Sequence, residues 1–296
     1  MKDDFSIGII VLLVIVAIAI FGGGKMTKNS GGIFSTPAQT QSESQAQKQA
    51  DIQNQIQTAQ NQVKDLEKQI AAQNDSKYKG VVKLQYVNRS SNAGSEYVVL
   101  YMSSSATTTV PITGWTLHSV PSGETVSVPT GTLLYFSGQT NLENTVVLSP
   151  GDTVYVITGT SPTGYSFRVN ECSGYFSKFQ TFVPYISTSC PLPRNEDLSS
   201  IPKITSNDDC FDYIDSYPAC KTQTNNLPNS WGYECKKFLV DKMNYSACVS
   251  GHKDDKNFYG KDWRIYLKRS SPIWKTRRED IILYDNDGKV VDEIKY

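Results

Sequence analysis

The sequence predicts a mainly β head carried on an N-terminal helical stem, and three observations predict it. From residue 80 onward, short runs rich in Val, Ile, Tyr and Thr recur between Pro- and Gly-containing turns with no helical crossover, the pattern of an antiparallel sandwich or barrel. Residues 51–74 carry apolar side chains at alternating steps of four and three, a helical period. Residues 5–21 form one apolar run without a charge. Composition narrows the function classes. With 29 basic and 29 acidic residues the formal net charge is zero, which excludes a strongly basic nucleic-acid coat and a polyacidic tail. Two histidines leave little material for a histidine-rich metal site.

The stem comes first. Residues 1–24 are expected to be a transmembrane anchor, since an uncharged helix of about 20 residues spans a bilayer core of about 30 Å. Lys2, Asp3 and Asp4 do not make the basic start of a cleaved leader, and no A-x-A site follows. Lys25 and Lys28 after the run, against Lys2 before it, would place the C-terminal bulk inside the cell. Six cysteines argue for the outside and take precedence, so the expected placement is single-pass in the cell membrane with an extracytoplasmic C-terminal domain. Residues 25–50, rich in Gly, Ser, Thr and Gln, read as a flexible linker. In 51–74, Ile56, Val63 and Ile70 occupy a positions and Ile52, Ala59 and Leu66 d positions of a heptad. That segment is expected to be a coiled-coil stalk supporting a homodimer or homo-oligomer.

The head spans 78–296. Strands are expected at 81–86, 96–102, 112–117, 124–128, 132–136, 145–148, 153–158 and 165–169, punctuated by turns such as Ser149-Pro150-Gly151-Asp152. Trp115, after Gly114 in an alternating strand, is expected in the core. Asp287-Gly288 reads as a tight hairpin turn; Asp285-Asn286-Asp287-Gly288 lacks the spaced acids of a calcium loop.

Four segments, in order, carry a family resemblance. They are Glu96-Tyr97-Val98-Val99-Leu100, then Ile112-Thr113-Gly114-Trp115-Thr116-Leu117, then Leu148-Ser149-Pro150-Gly151-Asp152-Thr153-Val154, and a closing hairpin over 280–293. Together they resemble the lamin-tail domain family, which implies an immunoglobulin-like β-sandwich. The whole arrangement is similar to membrane-anchored lamin-tail proteins of ultra-small bacteria. The departure is an insert at about 172–271, ahead of the closing hairpin.

That insert holds Cys172, Cys190, Cys210, Cys220, Cys235 and Cys248, an even set that reads as a disulfide framework. Fifteen pairings are open, and nearest-neighbour pairing (Cys172–Cys190, Cys210–Cys220, Cys235–Cys248) is the expectation. Helices are expected from Asp208 or Asp209 to Tyr217, after Ser230, and from near Asp254 through Leu267. No C-x-x-C occurs, so neither a zinc knuckle nor a redox pair is expected.

Catalytic signatures are missing: there is no G-x-S-x-G, H-E-x-x-H, P-loop or glycine-rich nucleotide turn. His118 reads as an exposed strand end and His252 as part of a polar loop or helix start. No enzyme, catalytic residue, metal or cofactor is therefore expected. One stretch stands out as a candidate binding surface: Lys261, Trp263, Arg264, Lys268, Arg269, Trp274, Arg277 and Arg278 interleave cations with aromatics. The expected function is non-enzymatic binding, adhesion or envelope structure toward a protein or cell-envelope partner. The alternative is nucleic-acid or anionic-polymer binding through 261–278, a reading the resemblance also implies.

Overall fold

A computed structural model describes residues 39–296, with side chains from residue 47 onward. Helix α1 runs Gln39–Asn74, 36 residues without glycine or proline and dominated by Gln, Lys, Ala and Glu, which lose little freedom in a helix. Residues 67–296 belong to one compact unit. After α1 come β1 (Val82–Asn88), β2 (Tyr97–Met102), β3 (Val110–Pro111), β4 (Thr116–Ser119), β5 (Thr125–Ser127), β6 (Val147–Leu148), β7 (Thr153–Ile157) and β8 (Phe167–Asn170). Three short helices follow, α2 (Asp208–Ser216), α3 (Tyr233–Lys242) and α4 (Tyr245–His252), then β9 (Tyr259–Tyr266), β10 (Asp280–Tyr284) and β11 (Val290–Lys295).

The strands form three open sheets: β1-β2-β7-β9-β8, β11-β10-β4-β5, and the pair β3-β6. Leu84, Leu100, Val154 and Ile265 from the five-stranded sheet share one apolar cluster with Leu117, Ile281, Leu283 and Val291 from the four-stranded one. Trp115 sits inside it at 1% exposure, its ring centroid 5.3 Å from that of Tyr78. The preceding Gly114 has φ +88°, and a Cβ there would stand 2.6 Å from Asn286 Oδ1, so the sharp approach to this tryptophan requires glycine. A second cluster, rich in Tyr and Phe, joins the opposite side of the five-stranded sheet to the cystine-bearing region. A third holds α2 and α3 together around Cys210 and Cys235.

Several expectations are corrected. The mainly β, immunoglobulin-like lamin-tail sandwich gives way to a mixed α/β fold with open sheets. The helix expected from near Asp254 is instead strand β9, which pairs with β7 in parallel and with β8 antiparallel. The last four residues of β9 are all buried, so that half is covered on both faces and shows no polar alternation. The end of the expected insert thus contributes a strand to the five-stranded sheet. In α1, Ile52, Ile56 and Leu66 stay 56, 47 and 49% exposed, and no second helix covers them among the described residues. The segment is a mostly exposed polar helix that lends no support to the expected coiled-coil stalk and homo-oligomer; about three heptads with Ala59 at one seam position offer little apolar area. Among the described residues no helix is long and apolar enough to cross a membrane. The anchor expected at 1–24 lies outside the described residues, as does most of the linker at 25–50. Membrane placement, an extracytoplasmic head and cell-surface adhesion rested on that anchor; the described residues offer no membrane-crossing helix in their support and are a mixed α/β fold with open sheets.

The cystine pairing also differs. The bonds are Cys172–Cys248, Cys190–Cys220 and Cys210–Cys235, with Cα–Cα distances of 5.9, 5.2 and 6.5 Å. Sequence proximity did not select partners because α2 packs on α3 and α4 packs on the turn after β8, which bring distant cysteines together.

Candidate metal centre

Helix α4 starts at Asn244, whose Oδ1 accepts the Ala247 N–H at 2.9 Å and so satisfies one of the helix's unpaired donors. Cys248 and His252 lie four residues apart and therefore on one face. The Cys172–Cys248 bond fixes that face against the end of β8, where Glu171 precedes Cys172. The Glu171 N–H donates to Phe258 O at 2.9 Å, which holds its backbone in place. Past α4 the chain turns, the Asp255 N–H donating to His252 O at 2.8 Å, and this swings the Asp255 carboxylate back onto the ring. Glu196 arrives after the 3₁₀ turn Pro193–Asn195, its own N–H closing that turn on Pro193 O.

The result is one imidazole among three carboxylates. His252 Nδ1 lies 2.8 Å from Asp255 Oδ2 and 3.8 Å from Glu171 Oε1, while Nε2 lies 2.9 Å from Glu196 Oε1. Only 22% of the His252 side chain is exposed, so these charges interact through a partly dry region. Burial works against a charged imidazole, but the hydrogen bonds to Glu196 and Asp255 and the charge of Glu171 outweigh it, and the His252 pKa is raised. Burial pushes the Glu171 carboxyl up, the His252 charge opposes that, and Asp255 and Glu196 add to it by repulsion. Glu171 Oε1 is buried and receives no hydrogen bond.

These features make the cluster a candidate divalent-cation site. Three anions face at most one cation, leaving negative charge that a dication would balance. Nδ1, a Glu171 oxygen and an Asp255 oxygen all lie within 4.8 Å of one another. Ligands of a tetrahedral zinc ion, at bond lengths of about 2.0–2.1 Å, stand roughly 3.3 Å apart. The observed 2.8 and 3.8 Å from Nδ1 to the two carboxylates bracket that spacing. Glu196 then takes the outer role, accepting the Nε2–H and fixing the ring's tautomer and direction. An imidazole with two carboxylates suits a first-row transition dication better than calcium or magnesium, which take all-oxygen shells.

Sequence reasoning placed His252 in a polar loop or helix start and expected no metal. Only Asp255, three residues on, was a local signal; Glu196 lies 56 residues away and Glu171 comes from a strand end. The residues of the candidate surface at 261–278 divide between the interior and the surface. Trp263, Arg264 and Trp274 are buried, at 3, 3 and 4% exposure. The Arg264 guanidinium sits 4.1 Å from the Tyr155 ring centroid and donates to Tyr185 O at 3.2 Å. Lys261 donates to Pro150 O and Arg269 to Glu124 Oε2, both at 3.1 Å, while Lys268, Arg277 and Arg278 are exposed. The nucleic-acid reading needed stacked indoles beside free cations; here Trp263 and Trp274 lie inside, and that reading is corrected. His118 is part of β4 and binds Thr125 Oγ1 through Nδ1 at 2.8 Å, with no carboxylate on its ring. No family model matches the chain, and no curated protein matches it.

Proposed function

We propose that this chain is a non-enzymatic, disulfide-braced module that binds a first-row divalent cation, zinc as the reference ion, through His252, Glu171 and Asp255. One observation carries the reading: the His252 ring has its Nε2 taken by one carboxylate while its Nδ1 faces two more. The cation would neutralise Glu171, whose burial otherwise disfavours its charge, and tie the end of β8 to the end of α4. That is a stabilising function, adding a second link beside the Cys172–Cys248 bond.

The test is thermal unfolding of the full chain with and without zinc, after stripping with a chelator. At a zinc concentration about 100 times the Kd, the folded state gains about 2.7 kcal/mol and the midpoint rises accordingly. Asp255 is exposed and can be changed without disturbing the core. Asp255→Asn should lower zinc affinity by roughly 10-fold or more, and Glu171→Gln by a similar factor. An unshifted midpoint at about 100 μM zinc, or equal affinity in wild type and both variants, overturns the proposal.

A further inference from the structure

The other end of α4 borders a cleft of about 300 Å³. Its walls are aromatic, with Tyr135, Tyr175, Phe176, Phe179 and Tyr245 contributing, and its polar groups are hydroxyls and amides, including Ser137, Thr222, Ser246 and Gln180. Its lining contains no Asp, Glu, Lys, Arg or His. Burial pushes the Tyr175 phenol up to about 12, with Glu196 adding to the effect, and pushes Tyr245 higher still, so both remain neutral at physiological pH.

The walls are tied to one another. Tyr245 Oη donates to Tyr135 O at 2.6 Å, and the Phe176 and Tyr245 ring centroids are 4.3 Å apart. Phe179 closes the 3₁₀ turn Ser173–Lys178 through its N–H to Phe176 O, so its backbone is fixed, yet its side chain is 67% exposed. A large aromatic held out beside a preformed cleft is a stacking surface.

We infer that this cleft is a binding site for a neutral pyranose unit of a glycan. The occupant must be neutral, because a charge covered here would be desolvated with no counter-charge. It must carry hydroxyls, because covering the polar groups of the rim without giving them hydrogen bonds would penalise binding. It needs an apolar face as well, and a pyranose supplies both, with an axial C–H face suited to stacking on Phe179 and equatorial hydroxyls suited to lining residues such as Ser137, Thr222 and Ser246. The volume lies at the small end of ligand sites, enough for one or two rings. The site does not depend on the cation at His252, so the two readings can fail separately.

The experiment titrates the full chain, in chelator, with maltotriose, cellotriose and chitotriose by calorimetry, with p-cresol and glucuronic acid as comparators. At least one trisaccharide should bind with a Kd below about 1 mM. Phe179→Ala should weaken it about tenfold, and Thr222→Val should weaken it without altering the unfolding midpoint. Raising salt from about 50 to about 500 mM should leave the affinity unchanged. The proposal is overturned if none of the three binds at about 10 mM, if Phe179→Ala binds as tightly as wild type, or if p-cresol or glucuronic acid binds more tightly than every trisaccharide.

Discussion

Glu96 has no exposure to solvent, yet its carboxylate is fully engaged: it accepts Thr158 Oγ1 at 2.7 Å, the Ile273 N–H at 2.8 Å and the Trp274 N–H at 3.1 Å. It thereby holds the segment that leads into β10 against the start of β2. Glu96→Ala would leave two backbone donors unpaired in the interior and should cost about 3 kcal/mol, read by urea unfolding. Glu96→Gln keeps one acceptor and should cost less, with a pH dependence of known sign. Burial raises the Glu96 pKa, the donors from Ile273, Thr158 and Trp274 oppose it, and Glu279 adds to it. A carboxyl raised on folding contributes stability that is present below its unfolded pKa and lost as pH rises through the folded one. The difference between wild type and Glu96→Gln should therefore be larger at pH about 4 than at pH about 8; the opposite trend would mean that the charged form is the one the fold favours. Single-residue roles of this kind were legible only where the local pattern exposed them. Trp115 was placed in the core because Gly114 and an alternating strand surround it, whereas nothing near Glu96 signals partners at 158, 273 and 274.

The β10–β11 hairpin shows what was readable at the next scale. Its turn, with Gly288 at φ +71°, follows from Asp287-Gly288 between two β-rich runs, because hairpin chemistry is local. Asp285 completes it: Oδ1 accepts the N–H groups of Asp287 and Lys289 at 2.9 and 3.0 Å, and Oδ2 accepts Ser76 Oγ at 2.6 Å. Burial alone would raise this carboxyl, but those hydrogen bonds outweigh it and its pKa is lowered. A lowered acid stabilises above its unfolded pKa and stops doing so as pH falls through the folded one. Asp285→Asn should cost about 1–2 kcal/mol at pH about 7, and the difference from wild type should vanish toward pH about 2. A pH-independent difference would assign the effect to shape instead of charge. Strand β9 shows the opposite case. Its neighbour β7 lies about a hundred residues earlier, the pairing is parallel, and both faces are covered over its last four residues, so neither turn chemistry nor alternation marks it.

Across the whole molecule, the cystines lock together distant segments that packing has brought side by side. Cys172–Cys248 closes 76 residues, and Cys190–Cys220 and Cys210–Cys235 close 30 and 25. By loop entropy each contributes roughly 3–5 kcal/mol against the unfolded chain, the first the most. Only the first adjoins the His252 centre, since Glu171 precedes Cys172 and His252 follows Cys248 by one helical turn. Its removal therefore tests the coupling between architecture and site. In Cys172→Ala/Cys248→Ala, the midpoint should fall and the zinc-induced rise should largely disappear. In Cys210→Ala/Cys235→Ala, which loosens α2 against α3, the midpoint should fall by a comparable amount while the zinc-induced rise persists. Equal loss of the zinc response in both variants would show that general destabilisation abolishes it. A full response in the first would show that the four side chains find one another without the cross-link, and that the cystine and the cation brace the chain independently.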